Sequence, residues 1–155
     1  MELTYHRAGI EDIDLLTETR IEVLRAANGL DESVDMGHVA EAAREYYLES
    51  LESGNHAAYL VLDGEKFIGA GGVSFYSVMP TCSNPSGWKA YIMNIYTHPN
   101  YRGRGIAYRT LDLLVQEARN RGITSISLET TEMGRPLYEK YGFIKDEKEM
   151  YLPKE

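Results

Sequence analysis

The sequence is short of cysteine, and its one cysteine, Cys82, cannot form an intrachain disulfide. It has no apolar run approaching the roughly 20 residues that a transmembrane helix requires. Its first residues lack the basic end and apolar stretch that mark a secretory signal. These absences predict a cytoplasmic protein in a reducing setting, with no membrane partner.

Basic residues are also scarce, since 16 Lys and Arg face 24 Asp and Glu, which gives a formal net charge of −8. A nucleic-acid-binding protein normally has a basic surplus, so we predict no nucleic-acid partner. A net negative charge attracts cationic ligands such as protonated amines, although it can also simply keep a protein soluble. The four histidines show no ligand spacing, so we predict no metal site; they are His6, His38, His56 and His98.

The periodicity of the chain predicts one mixed α/β domain over residues 1–155, with no linker or repeat. Strands are expected at residues 3–6, 57–62, 69–78, 88–97 and 123–128. Helices are expected at residues 10–28, 38–51, 103–121 and 136–141, and a final strand or hairpin at 143–152. The residues 79–87 are turn-forming and predict an exposed loop.

The segment from residue 95 to residue 107 carries the clearest chemical signal, because a strand ends there and a glycine-rich loop opens onto a helix. Gly103 and Gly105 let consecutive backbone N–H groups converge into an anion-binding nest. The helix adds its positive dipole end, and Arg102 and Arg104 add side-chain charge. We therefore predict a pyrophosphate site.

Glycines before a helix also occur in three other settings. A tight strand–helix turn without a ligand has similar spacing. A Walker A loop requires Gly-Lys-Ser/Thr, which Gly105, Ile106 and Ala107 do not supply. A dinucleotide fingerprint belongs on the first strand of a parallel βαβ repeat, whereas this loop lies well past the middle of the chain.

Two motifs resemble those of the GNAT acetyltransferases. Residues 102–107 (Arg-Gly-Arg-Gly-Ile-Ala) match the family signature Arg/Gln-x-x-Gly-x-Gly/Ala, and residues 137–143 (Leu-Tyr-Glu-Lys-Tyr-Gly-Phe) resemble its Leu/Phe-Tyr-x-x-x-Gly-Phe element. The order of predicted elements is similar over essentially the whole chain. The resemblance implies an α/β (α+β) fold: a single domain whose central, mixed, mostly antiparallel sheet is flanked by helices.

The resemblance also implies that acetyl-CoA lies between two splayed central strands, residues 89–97 and 123–130. The strand end would pair with the pantetheine arm and the nest would hold the pyrophosphate. The implied coenzyme-binding residues are Ile95, Tyr96, Thr97, Arg102, Gly103, Arg104, Gly105, Ile106, Ala107, Tyr108 and Thr131. Thr131 stands where many members have Asn, and Gly134 where many have Ala, so this part of the cleft departs from the pattern.

Tyr138 matches the family tyrosine that donates a hydrogen bond or proton to the coenzyme sulfur. The general base is less clear, because no acid occupies the start of the central strand, where several members have Glu. The candidates for proton acceptor are Glu129, Glu22 and a water held by Asn94. Glu129 is the residue we assign, although a solvated strand-end charge is the competing interpretation.

The predicted function is direct acetyl transfer, in a ternary complex, to a primary amine of a cationic small molecule or peptide. Acceptor contacts are expected from the first two helices and residues 79–88. Tyr46, Tyr47, Tyr76 and Trp88 are candidates, although ordinary core packing is the stronger interpretation of these aromatic residues. Cys82 is expected to be a bystander thiol rather than an acyl-accepting nucleophile. The rivals are a non-catalytic CoA-binding sensor or assembly domain and a nucleotide-binding protein unrelated to CoA. The acceptor's identity, other acyl groups and a homodimer are left open.

Overall fold

The computed structural model describes residues 1–154. In that part of the chain the strands are β1 (Leu3–Arg7), β2 (His56–Asp63), β3 (Lys66–Ser77), β4 (Trp88–Thr97) and β5 (Ser125–Leu128). The helices are α1 (Ile13–Asn28), α2 (Gly37–Ser53), α3 (Ile106–Asn120) and α4 (Arg135–Tyr141), with short 3₁₀ turns at Ile10–Asp12 and Pro99–Tyr101.

The strands of residues 1–154 form one sheet in the order β1-β2-β3-β4-β5. The first four are antiparallel neighbours, and β5 runs parallel to β4. A short turn at Gly64 joins the antiparallel pair β2 and β3, whereas α1 and α2 lie between β1 and β2, and the parallel β4–β5 connection crosses over through α3. The predicted α/β fold, with its mixed, mostly antiparallel sheet, is confirmed.

Helices cover both faces of the sheet because side chains alternate along each strand. On one face α1 and α2 pack against β2 through Leu16, Tyr47, Ala58 and Leu60. On the other face α3 packs against β3 and β4 around a larger buried cluster that includes Val73, Ile92, Leu111, Leu114 and Val115. The candidate site lies on β4, between the layer formed by α1 and α2 and the layer formed by α3.

The prediction for residues 143–152 was wrong, because this segment forms no strand within the described chain. Residues 145–149 are five consecutive charged residues, a composition with low strand propensity. They bond locally instead, with the Lys148 N–H donating to Asp146 Oδ1 at 2.9 Å. The apolar side chains beside them stay exposed: Ile144, Met150, Tyr151 and Leu152.

The glycine at position 71 sets how closely α3 approaches the sheet. A Cβ at Gly71 would lie 2.6 Å from Thr110 Cγ2 and 2.9 Å from Leu114 Cδ1, both on α3. We expect Gly71→Ala to lower the free energy of unfolding by about 1–3 kcal/mol through overpacking. Denaturant unfolding would measure this against Ser77→Ala, at the exposed end of the same strand. Equal stability of the two variants would contradict the packing described here.

Candidate active site

Strand β4 parts from β5 halfway along its length. The parallel pairing ends at Ile92 with Leu128, whereas the pairing of β4 with β3 continues to Thr97. A β-bulge marks the divergence, since the register shifts between Ala70 and Gly72. Beyond the bulge, one edge of β4 is not paired with β5, so its backbone N–H and C=O groups can bond an extended ligand.

Asn94 lies in this bulge with a φ of 61°, in the left-handed region that a non-glycine residue seldom adopts. Its side chain is held by α1, because Arg20 Nη1 donates to Asn94 Oδ1 at 2.9 Å. Strained backbone that the surrounding structure holds in place is a frequent mark of functional sites. The bulge therefore points to β4 as the centre of the site.

The glycine-rich loop follows directly from the open end of β4. Gly103 and Gly105 have φ values of 77° and 78°, and α3 begins at Ile106. Since the first bond into the helix is Arg109 N–H to the Gly105 carbonyl, the N–H groups of residues 103–108 find no acceptor within the described chain. Unpaired N–H groups at a helix N-terminus form an anion-binding site.

Two exposed arginines flank these N–H groups. Arg102 Nε donates to the Thr97 carbonyl at 3.3 Å, which ties the loop to the end of β4. Arg104 lies over the Tyr101 ring at 5.3 Å. Within residues 1–154 neither guanidinium has a carboxylate within 4.0 Å, so both charges are available to a bound anion.

Helix α4 carries Tyr138, the tyrosine of the second sequence motif. The side chain is half-buried against the core cluster beneath α3, and its ring lies edge-on to Phe143 at 6.2 Å. Burial raises the pKa of Tyr138, so the hydroxyl is protonated at neutral pH. Its hydroxyl has no hydrogen-bond partner in the described chain and is free to donate to a ligand.

The two residues that depart from the family pattern shape the start of α4. The Thr131 hydroxyl accepts the Gly134 N–H at 3.2 Å and so acts locally as a cap, while its own O–H is free to donate. A Cβ at Gly134 would lie 2.9 Å from Thr130 Oγ1 and 3.4 Å from Tyr138 Cε2. Glycine at this position therefore lets Thr130 approach the ring of Tyr138.

A cavity of about 570 Å³ opens on the opposite face of the sheet, between α1, α2 and the strands β3 and β4. Tyr46, Tyr47 and Tyr76 line it, together with residues of both helices. No residue of the described loop 79–88 contributes to its lining; Trp88 borders a smaller hollow beside Arg121. Cys82 is exposed on that loop.

A hydrogen-bonded cluster closes the inner end of the cavity. Tyr46 Oη lies 2.6 Å from Ser74 Oγ, and both lie 3.1 Å from His56 Nδ1. His56 is 4% exposed, and burial, followed by the charge of Arg20, lowers its pKa to about 4. The ring is therefore neutral at pH 7. Sequence reasoning missed this cluster, since its members carry no motif.

The candidate carboxylates lie outside the cavity lining. Glu129 is exposed just beyond β5, and its charge helps burial to raise the pKa of Tyr91. Glu22 is exposed on α1, and its charge acts with burial to raise the pKa of Tyr96. Since Tyr91 and Tyr96 both lie on β4, the charge of each carboxylate acts on the central strand.

Metal sites and membrane spans have no candidate within residues 1–154. No group of three or more His, Cys, Asp or Glu side chains in this range is placed to hold a metal ion. No helix in this part of the chain has the length and hydropathy needed to span a membrane.

Comparison with known proteins connects this geometry to a family. Residues 24–143 match the acetyltransferase (GNAT) family. A predicted acetyltransferase from Clostridium acetobutylicum, solved with acetyl-CoA, shares 32% identity at a TM-score of 0.87, covering 97% of this chain and 96% of that one. A GCN5-related N-acetyltransferase from Ralstonia eutropha shares 26% identity at a TM-score of 0.82, covering 97% of each chain.

A shorter match connects the chain to an enzyme with a named substrate. Glucosamine 6-phosphate N-acetyltransferase from Trypanosoma brucei brucei is 32% identical over 62 residues. The match spans 40% of this chain and 42% of that enzyme.

Proposed function

Because the chain belongs to the GNAT acetyltransferase family, we propose that it transfers the acetyl group of acetyl-CoA to a primary amine of a small molecule or peptide. The observation that carries this proposal is the continuity of the open edge of β4 with the nest of residues 103–108. An extended arm that ends in a pyrophosphate fits such a path.

In the proposed complex each part of the path holds one part of the coenzyme. Backbone groups of Ile95, Tyr96 and Thr97 pair with the pantetheine arm, as an added strand would. The N–H groups of residues 103–108 bind the pyrophosphate, with Arg102 and Arg104 adding charge-assisted bonds. Thr131 donates its free O–H to the pantetheine arm from the opposite wall.

The acceptor amine must lose a proton before it attacks the thioester carbon. With a pKa near 10.4, about one alkylamine in 2,500 is neutral at pH 7, which adds roughly 4.6 kcal/mol to the barrier. We propose Glu129 as the proton acceptor, through water. Glu22 and a water held by Asn94 are the alternatives.

Collapse of the tetrahedral intermediate breaks the C–S bond, and the developing thiolate requires a donor. We assign this role to the Tyr138 hydroxyl. A phenol pKa near 10 lies above the thiol pKa near 8.5, so complete proton transfer is uphill by about 2 kcal/mol. Burial raises the pKa of Tyr138 further. Tyr138 therefore serves by hydrogen bonding rather than by complete transfer.

The cavity beneath α1 and α2 is the proposed acceptor site, because Asn94 of β4 lines it from the face that carries these helices. The acceptor arrives as an ammonium ion, which the net charge of −8 attracts. The short match to the trypanosomal enzyme makes an amino sugar phosphate one class to test.

One observation favours a second candidate, a domain that binds acetyl-CoA without turnover. The start of β4 carries Lys89, Ala90 and Tyr91, and no acid. Thiol release from acetyl-CoA over a panel of amines separates the two. Amine-dependent release supports the enzyme, whereas tight coenzyme binding with no release for any amine supports the binding domain.

Direct transfer makes a prediction about Cys82, the single cysteine. No acetyl-enzyme should accumulate, so we expect Cys82→Ala to keep most of the activity. Intact-mass measurement after mixing with acetyl-CoA alone checks this. A stoichiometric acetyl adduct that disappears in Cys82→Ala would establish a thiol intermediate instead.

A further inference from the structure

The acceptor cavity is lined largely by apolar side chains, which favour an apolar ligand. Its lining side chains include Leu24, Val39, Tyr47, Phe75 and Met93, and its volume of about 570 Å³ accommodates a molecule the size of an aromatic amino acid. Polar lining residues such as Ser50, Asn55 and Asn94 are a minority, so a polyhydroxylated ligand would replace only part of the hydrogen bonds that it makes to water.

Arg20 supplies the charge of this cavity. Within residues 1–154 it is the one lining residue that carries a full charge at neutral pH, because the lining contains no carboxylate and His56 is neutral. Arg20 is half-buried. Burial lowers the pKa of His56 and the charge of Arg20 lowers it further, whereas burial raises the pKa of Tyr47 and the same charge opposes that rise. In that same part of the chain no carboxylate lies within 4.0 Å of its guanidinium.

The hydrogen bonding of Arg20 leaves room for a ligand. One bond, from Nη1 to Asn94 Oδ1, fixes the guanidinium against the bulge of β4. A guanidinium has five N–H donors in a planar fork that matches a carboxylate. A half-buried, unpaired charge is costly, and a ligand carboxylate would satisfy it.

The position of Arg20 also limits where an anion can lie relative to the amine. Since Arg20 Nη1 is 2.9 Å from Asn94 Oδ1, a carboxylate on the fork lies within roughly 6 Å of the β4 bulge, where the proposed transfer takes place. The amine and the anion of the acceptor must therefore be close together. A carboxylate on the carbon that bears the amine meets this condition.

We propose that the acceptor is an α-amino acid, or a molecule that ends in one, with an apolar side chain in the cavity and its carboxylate on Arg20. This proposal rests on the N-acetyltransferase function and names its substrate class. The single positive charge of Arg20 balances the charge of a carboxylate but only half the charge of a phosphate dianion.

The test compares an aromatic amine and an amino sugar, each with and without an anionic group. The acceptors are L-phenylalanine, phenethylamine, glucosamine 6-phosphate and glucosamine, compared by kcat/KM at saturating acetyl-CoA. We expect the wild-type protein to favour L-phenylalanine over phenethylamine by about 10- to 100-fold, the usual worth of hydrogen bonds to a charged group. Both sugars should fall below L-phenylalanine.

Arg20→Gln should remove this preference by lowering kcat/KM for L-phenylalanine about 10- to 100-fold more than that for phenethylamine. Any loss that comes from the missing bond to Asn94 affects both acceptors alike and cancels in this ratio. Arg20→Lys keeps the positive charge but loses the planar fork of N–H donors. Its preference for L-phenylalanine should therefore fall between those of the wild type and Arg20→Gln. The matched control is Arg44→Gln, whose exposed side chain bonds Asp14 at 2.6 Å outside the cavity. A purely structural role for Arg20 would lower both acceptors equally and overturn the proposal.

The remaining outcomes are also decisive. Preference for phenethylamine, or for glucosamine 6-phosphate, in the wild type would overturn the amino acid assignment while leaving the N-acetyltransferase function intact. Acetylation of no amine would count against that function. Calorimetric binding of 3-phenylpropionate then tests Arg20 alone: binding that Arg20→Gln abolishes supports the carboxylate site, and no binding to the wild type overturns it.

Discussion

We expect Gly105→Val to abolish the thermal stabilisation that acetyl-CoA gives to the wild-type protein. That stabilisation should be about 2.7 kcal/mol at about a hundredfold excess of coenzyme over Kd. Gly105 has a φ of 78° and precedes the first residue of α3. A β-branched residue disfavours this conformation, and its side chain would occupy the open space beside the nest where the pyrophosphate is proposed to bind.

The matched control is Gly122→Val, at the opposite end of α3. Gly122 has a φ of 73°, and a Cβ at either glycine meets no atom within 4 Å. Both variants therefore carry the same kind of backbone strain, but only position 105 adjoins the nest. A folded Gly105→Val protein with an unchanged response to CoA would rule out this placement of the pyrophosphate.

The second large effect is expected for Tyr138→Phe, which should lower kcat by about 10²- to 10³-fold, the usual cost of removing one hydrogen-bond donor to a developing negative charge. The ring still packs against Phe143, and the hydroxyl has no partner in the described chain, so stability should change little. Coenzyme affinity should also persist, because the lost interaction strengthens only as the C–S bond breaks.

Tyr141→Phe on the same helix is the control for the loss of a hydroxyl. Tyr141 donates to Asp112 Oδ1 at 2.7 Å, so its loss should lower stability and spare turnover. A loss of tenfold or more in Tyr138→Phe alone would support the assignment. If turnover stays within about twofold of wild type on a validated acceptor, backbone N–H groups or water must serve the thiolate instead.

The geometry of the proposed coenzyme half of the site was predictable because its signals are local. β4 runs from Trp88 to Thr97, as its strand-like composition predicted, and the adjoining glycines take the left-handed conformations that a nest requires. The apolar spacing of α3 predicts a buried stripe of Ala107, Leu111, Leu114, Val115 and Ala118. The helix buries the last four together with Ile106 and Thr110, whereas Ala107 is only half-buried. The buried face of α3 is therefore rotated slightly from the predicted one, by an amount that an amphipathic pattern in the sequence does not resolve.

The acceptor half could not be predicted in the same way, because its residues come from distant parts of the chain. The cluster of Tyr46, His56 and Ser74 depends on the register of β2 with β3 and on the packing of α2. One signal was present: Arg20 interrupts the apolar stripe of α1, where a charge is seldom placed without a partner. The error at residues 143–152 came from weighing apolar residues above the charged run between them.

The central claim is N-acetylation, and the identity of the product formed from [¹³C]acetyl-CoA tests it most directly. NMR would follow the labelled carbonyl while released CoA is measured in the same sample. The account predicts an amide resonance that appears in a one-to-one ratio with CoA and only when an amine is present. Labelled acetate or an ester in place of the amide, at the full rate of CoA release, would contradict it.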